Sequence, residues 1–274
     1  MPRIVDFHTH AFPDSLAARA MKTLLDEAPG IRAYLDGTTG DLLRSMDRIG
    51  IEKSVVCCIA TRPEQFGPIL KWCGQIRSDR LIPLPSVHPA DPVLADHIRC
   101  VADEGFLGIK LHPYYQDFFA DEDRMMPLYA QVADLNLLLV MHTGYDIAFP
   151  RIRRADPAKI VRIKERFPAL RFIATHLGAW QQWDEVREYL IGRQIHIEVS
   201  FASDDLEPEK ARAMILSHPA GYMLFGTDSP WTDQGRTLEW LEGLRLPPDV
   251  MTGVLGGNAL RLLRLSRDEF IKDI

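Results

Sequence analysis

Eight short apolar runs, rich in β-branched residues, recur along the 274-residue chain with room for a helix between them. They are 3–10 (RIVDFHTH), 52–60 (EKSVVCCIA), 80–88 (RLIPLPSVH), 106–112 (FLGIKLH), 136–143 (NLLLVMHT), 170–176 (LRFIATH), 194–200 (QIHIEVS) and 221–228 (GYMLFGTD). Near-continuous apolar runs of this length suit strands buried on both faces. Segments between them, such as 121–135 and 158–167, place apolar residues every three to four positions, as amphipathic helices do. Alternating strands and helices imply right-handed βαβ units, and eight is the number at which a parallel sheet closes into a (β/α)8 TIM barrel. An open doubly wound sheet would carry a glycine-rich phosphate turn after its first strand, where this chain has "AFPDS". The expected fold is therefore α/β, a (β/α)8 TIM barrel in one domain over 1–274. Two pieces fall outside the alternation: a helical segment at Asp14–Glu27, placed to cover the barrel mouth, and a C-terminal helix at 258–265.

Composition narrows the partners. A net charge of −6 and a pI near 5.9 argue against nucleic acid, which calls for clustered Lys and Arg. No apolar run approaches a membrane span, and no basic segment followed by an apolar stretch opens the chain. Four cysteines, Cys57, Cys58, Cys73 and Cys100, show no CxxC spacing. A cytoplasmic protein acting on a small molecule is expected, with a homo-oligomer compatible with this composition.

Unusual polar residues mark the C-terminal ends of the runs. By alternation Asp6, His8 and His10 share one face, Lys110 and His112 another, and His142, His176 and Asp228 end three further runs. In (β/α)8 enzymes that edge carries the chemistry. Burying a polar group without a partner costs roughly 2–7 kcal/mol, so this cluster needs compensation. Imidazole and carboxylate from four strands suit a divalent ion, which supplies it.

The segments "DFHTH", "GIKLHPYYQDF", "MHTG", "THLG", "FGTDSPW" and "GGNALRLL" together resemble the amidohydrolase superfamily, in particular its branch of metal-dependent hydrolases and decarboxylases. That resemblance implies that His8, His10, His142, His176 and Asp228 surround the metal. At strand four it implies one of two schemes: a carboxylated lysine bridging two ions, or a single ion with no bridge. Lys110 is accordingly a carbamate ligand, a cation that contacts substrate, or a structural lysine paired with Glu198 or Asp6. Zinc is the first expectation, as one or two ions, with manganese or another divalent ion as alternatives.

The expected reaction is hydrolysis of an amide, lactone or ester in a small carboxylate-bearing substrate, by water that the metal activates. Asp228 would act as the proton acceptor, and His176 as a ligand or as the group polarising the carbonyl. The alternative is nonoxidative decarboxylation of an aromatic or unsaturated acid, as in relatives of aminocarboxymuconate-semialdehyde decarboxylase. A barrel that binds without turnover, and a three-ion phosphatase site, are the remaining rivals. Asp6 either orients a ligand imidazole or makes a core hydrogen bond.

Substrate contacts are expected from the loops: Arg62, suited to a carboxylate, Tyr114, Tyr115, Gln116, Trp180 and Trp231, together with His112. The segment 145–156, with Arg151, Arg153 and Arg154, is either a lid or a solvated loop. His88, His97, His196 and His218 fit no ligand position.

Overall fold

A computed structural model of the chain describes residues 3–263. All eight expected strands form, each shorter than its apolar run. They are β1 (Ile4–Thr9), β2 (Ile51–Cys57), β3 (Leu81–Leu84), β4 (Gly108–Leu111), β5 (Leu138–Met141), β6 (Arg171–Ala174), β7 (His196–Glu198) and β8 (Met223–Leu224). Every laddered pair is parallel. Helices fill the connections, including α1 (Asp14–Glu27), α2 (Thr39–Ile49) and α3 (Phe66–Ile76), and the architecture is that of a (β/α)8 TIM barrel. Among the described residues no helix is long and apolar enough to cross a membrane.

The ladders run as two arcs, β1-β2-β3 and β4-β5-β6-β7-β8, and the sequence explains the break between β3 and β4. Arg80 and Leu84 turn their carbonyls to β2, whereas Pro85 turns its carbonyl to β4 and accepts from the Lys110 N–H at 2.9 Å. Pro83 and Pro85 therefore occupy the positions of β3 whose N–H groups would face β4, and proline has none to offer. Ser86 replaces one missing donor: its Oγ donates to the Lys110 carbonyl at 2.8 Å. The other junction, β8 to β1, is bridged by Phe7 N–H to Phe225 O at 2.8 Å, Asp228 N–H to His8 O at 2.7 Å and His10 N–H to Ser229 O at 2.6 Å.

Two apolar layers arise from strand alternation. Val5, Phe7, Val55, Cys57, Leu84, Leu138, Val140, Ile173 and Leu224 fill the lower barrel, closed by Ala259, Leu262 and Leu263. The opposite faces, among them Val56, Ile109, Leu139 and Phe172, pack against the helices. The expected C-terminal helix is present over 258–263, while positions 264–265 lie outside the described residues. It is pinned by Asn258, whose Nδ2 donates to the carbonyls of Ala220 and Met223, both at 2.7 Å.

Strand β1 departs from simple alternation. Its pairing with β2 shifts register between Asp6 and Thr9, and such an irregularity moves later side chains to the other face. Val5 and Phe7 point into the barrel, yet so do His8 and His10 beyond the shift. Asp6 thus does not share the face of the histidines. It bonds instead to Thr227 N at 3.0 Å, Thr227 Oγ1 at 2.6 Å and Gln234 Nε2 at 2.8 Å, binding the segment after β8 and the helix Gln234–Gly243 to β1.

The close passage of the C-terminal segment gives a test. A Cβ on Gly256 would lie 2.0 Å from the Arg3 carbonyl oxygen at the start of β1, a backbone contact that cannot swing aside. Gly256→Ala is expected to lower stability by about 2–3 kcal/mol in denaturant unfolding, and an unchanged midpoint would contradict this packing.

Candidate metal centre and its cavity

The residues that sequence alternation singled out, His8, His10, Lys110, His112, His142, His176 and Asp228, converge at the C-terminal end of the barrel and line one cavity of about 610 Å³. The imidazoles of His8, His112, His142 and His176 are buried, and burial, the largest cause for each, holds them well below the usual histidine range. Burial thus favours the neutral imidazole, the form that ligates metal.

Their partners fix which nitrogen carries the proton. His8 Nδ1 donates to Glu198 Oε1 at 3.0 Å and His10 Nδ1 donates to the Cys57 carbonyl at 2.7 Å, so both Nε2 atoms are bare. These two Nε2 atoms lie 3.1 Å apart, and Asp228 Oδ1 stands 3.2 Å from one and 2.9 Å from the other. That oxygen is buried and has no hydrogen-bond donor. His142 Nε2 donates to the Tyr145 carbonyl at 2.9 Å. Ser200 gives its one proton to Glu198 Oε1 and so accepts from His176 Nδ1 at 2.8 Å. His142 Nδ1 and His176 Nε2 are then also bare, and they face each other at 3.0 Å. Lone pairs brought this close repel unless a cation lies among them, so the donor set fits a divalent metal ion.

Glu198 is the residue that sequence reasoning undervalued. Besides His8 it takes the His176 N–H at 2.9 Å and the Ser200 N–H at 2.7 Å, and burial pushes its carboxyl up to about 7. The signal was a single acid inside the apolar run "IHIEVS". A Cβ on Gly226 would lie 2.3 Å from Glu198 Oε2, so the glycine of "FGTD" makes room for this carboxylate. The orienting role considered for Asp6 belongs to Glu198 and to the Cys57 carbonyl. His176 and Asp228 both adopt the left-handed backbone region, at φ 60° and 61°, a conformation that costs non-glycine residues on the order of 1–3 kcal/mol.

Lys110 is fully buried and its Nζ donates to His8 Nε2 at 3.0 Å. Among the described residues no carboxylate lies within 4.0 Å of it, so the structural pairing with Glu198 or Asp6 does not occur. His112 stacks on His142, ring centroids 4.1 Å apart, with Nε2 3.3 Å from Asp146 Oδ2. Asp146, on the loop after β5, was not anticipated.

The loop residues divide. Tyr115, Trp180 and Trp231 line the cavity. Tyr114 and Gln116 are buried supports: the Tyr114 hydroxyl reaches the carbonyls of Gly144 and Ile152, and the Gln116 amide ties His112 N to the carbonyls of Ala60 and Val87. Arg62 is exposed and lies off the cavity wall, at the head of a 3-10 turn over Pro63–Gln65 that leads into α3. In segment 145–156 the arginines pair away from the cavity, Arg153 with Glu185 and Arg154 with Asp117. Only Asp146, Ile147 and Ala148 of that segment line the cavity. His97 bonds Asp91 and His218 bonds the Ile195 carbonyl, both outside the site.

A family model described as amidohydrolase matches residues 5–265. The chain belongs to the amidohydrolase family. No curated protein sequence matches it. Among solved structures, this amidohydrolase is similar to an uncharacterised TIM-barrel protein, Bb4693 of Bordetella bronchiseptica, at 22% identity, with 96% of this chain and 99% of that one covered and a TM-score of 0.76. It is also similar to 5-carboxyvanillate decarboxylase LigW of Sphingomonas paucimobilis, at 17% identity, 96% and 99% coverage and a TM-score of 0.72. A third is a dihydroxybenzoic acid decarboxylase of Polaromonas sp. JS666 with bound manganese and 2-nitroresorcinol, at 16% identity, 98% and 99% coverage and a TM-score of 0.71. At these identities the likeness is one of fold.

The Glu198 contacts predict a measurable effect on the metal. Glu198→Gln puts an amide where His8 Nδ1 and two backbone N–H groups need an acceptor. Zinc or manganese affinity, read by competition with a chelator, is expected to fall roughly 10- to 100-fold.

Proposed function

We propose that this amidohydrolase is a metal-dependent nonoxidative decarboxylase of an aromatic or unsaturated carboxylic acid. Lys110 is the observation that carries the reading. Burial disfavours the charge of Lys110, Asp228 and Glu198 offset this only from a distance, and among the described residues no carboxylate lies within 4.0 Å of it, a costly arrangement until a substrate supplies a closer anion. Decarboxylases among the similar structures support the same reading, one of them with manganese bound. It replaces hydrolysis, the reaction first expected from the sequence.

Zinc or manganese held by His8, His10, His142 and Asp228, with His176 as a further ligand or a substrate contact, would fix an oxygen of the substrate and take up negative charge. The chain's own residues do the rest. Lys110 pairs with the carboxylate, and His112, Trp180 and Trp231 confine the unsaturated body beside it. The bond from the body to the carboxylate carbon breaks and carbon dioxide departs. Asp228 first takes up a proton from solvent and then passes it to the electron pair left on the carbon, which returns Asp228 to its carboxylate form. Tyr114 and Gln116 position this wall without touching substrate.

Hydrolysis of an amide, lactone or ester is the second reading. The Asp228 oxygen without a hydrogen-bond donor favours it, since a bare carboxylate oxygen beside metal ligands suits a water's proton. A carboxylated Lys110 with two ions would belong to that scheme.

The two readings separate by product. Metal-loaded protein given hydroxybenzoates in D2O is expected to release carbon dioxide and place deuterium at the vacated carbon. Asp228→Asn, with metal content measured alongside, should lower kcat roughly 100- to 10,000-fold. Turnover of lactones or amides with no carbon dioxide from any acid would put hydrolysis in its place.

A further inference from the structure

The cavity does not end at the metal ligands. It continues between two helices outside the strand ring, and each of them presents a second apolar stripe. On α1, Ala17 and Met21 are buried in the protein, while Leu16, Ala20 and Leu24, spaced four apart, line the cavity. On α3, Phe66 and Cys73 are buried in the core, while Ile69 and Trp72, spaced three apart, line the cavity. Leu16 is 42% exposed. Among the described residues the arm's charged groups, Arg19 and Glu27, sit on α1 and are exposed, and Lys110 lies at the opposite, buried end.

We infer that the substrate is a carboxylic acid whose apolar body is larger than one aromatic ring, with its carboxylate at Lys110 and its far end between α1 and α3. This inference rests on the decarboxylase reading and narrows it. Two helices that each turn an apolar stripe toward one shared space leave that surface wet unless a ligand covers it, and pockets of several hundred Å³ enclose ligands well beyond a single ring. Continuity of the arm with the buried Lys110 makes the occupant an acid rather than a neutral hydrocarbon. The walls are mainly apolar, with Arg19, Thr23 and Glu27 on α1 among the polar exceptions, so they select chiefly for size and hydrophobicity.

The test is binding, read by calorimetry on the metal-loaded chain with benzoate, 2-naphthoate and biphenyl-4-carboxylate. Affinity is expected to rise roughly tenfold or more from benzoate to biphenyl-4-carboxylate, because the second ring is removed from water. Ala20→Trp and Ile69→Trp each narrow the arm, and in each the preference for the two-ring acid should fall at least tenfold while the circular dichroism stays that of the parent. Equal affinities for the three acids would overturn the inference. So would a dimer in solution that Leu16→Glu converts to monomer, since a second copy would then cover the stripe. A chain that binds two-ring acids tightly yet releases no carbon dioxide retains this inference and loses the decarboxylase reading. Release of carbon dioxide from single-ring acids alone, with no gain for the second ring, does the reverse.

Discussion

Four donors meet at the Glu198 carboxylate, and the geometry of the candidate metal centre depends on that meeting. The His8 ring, the Ser200 hydroxyl and the backbone N–H groups of His176 and Ser200 all point to it. Through them one buried acid decides which nitrogen of His8 is bare, which nitrogen of His176 is bare, and how His176 is held in a left-handed conformation. A metal ligand is useful only if its lone pair is aimed before the ion arrives, and hydrogen bonds to the far nitrogen do that aiming. The short strand β7, laddered between β6 and β8, ends on this group, and Gly226 leaves the space it fills.

The legibility of the chain tracks the physics of each level. Strand number and order are readable because burial on both faces demands continuous apolar runs, and the eight in the sequence are the eight in the barrel. The convergence of His8, His10, His142, His176 and Asp228 on one cavity is readable for a related reason: a histidine or aspartate ending an apolar strand has few other excuses. Asp6 defeats the reading because strict alternation carries it to the histidine face, and a register shift in β1 is a pairing event that no local pattern announces. Arg62 defeats it because the direction of a loop depends on the element it enters, here a 3-10 turn that leads into α3. Glu198 and Asp146 need the third dimension, since a partner of each, His8 for Glu198 and His112 for Asp146, arrives from a strand distant in the chain.

Rigidity and openness are divided between the two ends of the barrel. Below, the interior is filled by Val, Leu, Ile and Phe and sealed by the C-terminal segment. Above, polar groups replace that filling, and they are held by hydrogen bonds instead of packing. The backbone strain at His176 and Asp228 falls in this upper half. Such conformations persist only where the surroundings over-determine them, and the bonds from the His176 N–H to Glu198 and from the Asp228 N–H to the His8 carbonyl do so.

The junction of β8 with β1 gives the arrangement a topological meaning. Within each arc, neighbouring strands are also neighbours in sequence, so their ladders close short loops. Joining β8 to β1 closes a loop far longer than any within the arcs, at a correspondingly larger entropic cost. His8 and His10 stand on one side of that junction and Asp228 on the other. An ion held by all three would therefore be a clasp on a bracelet: it would fasten the first strand to the last, and its removal would loosen the ring at the place where these side chains are mounted.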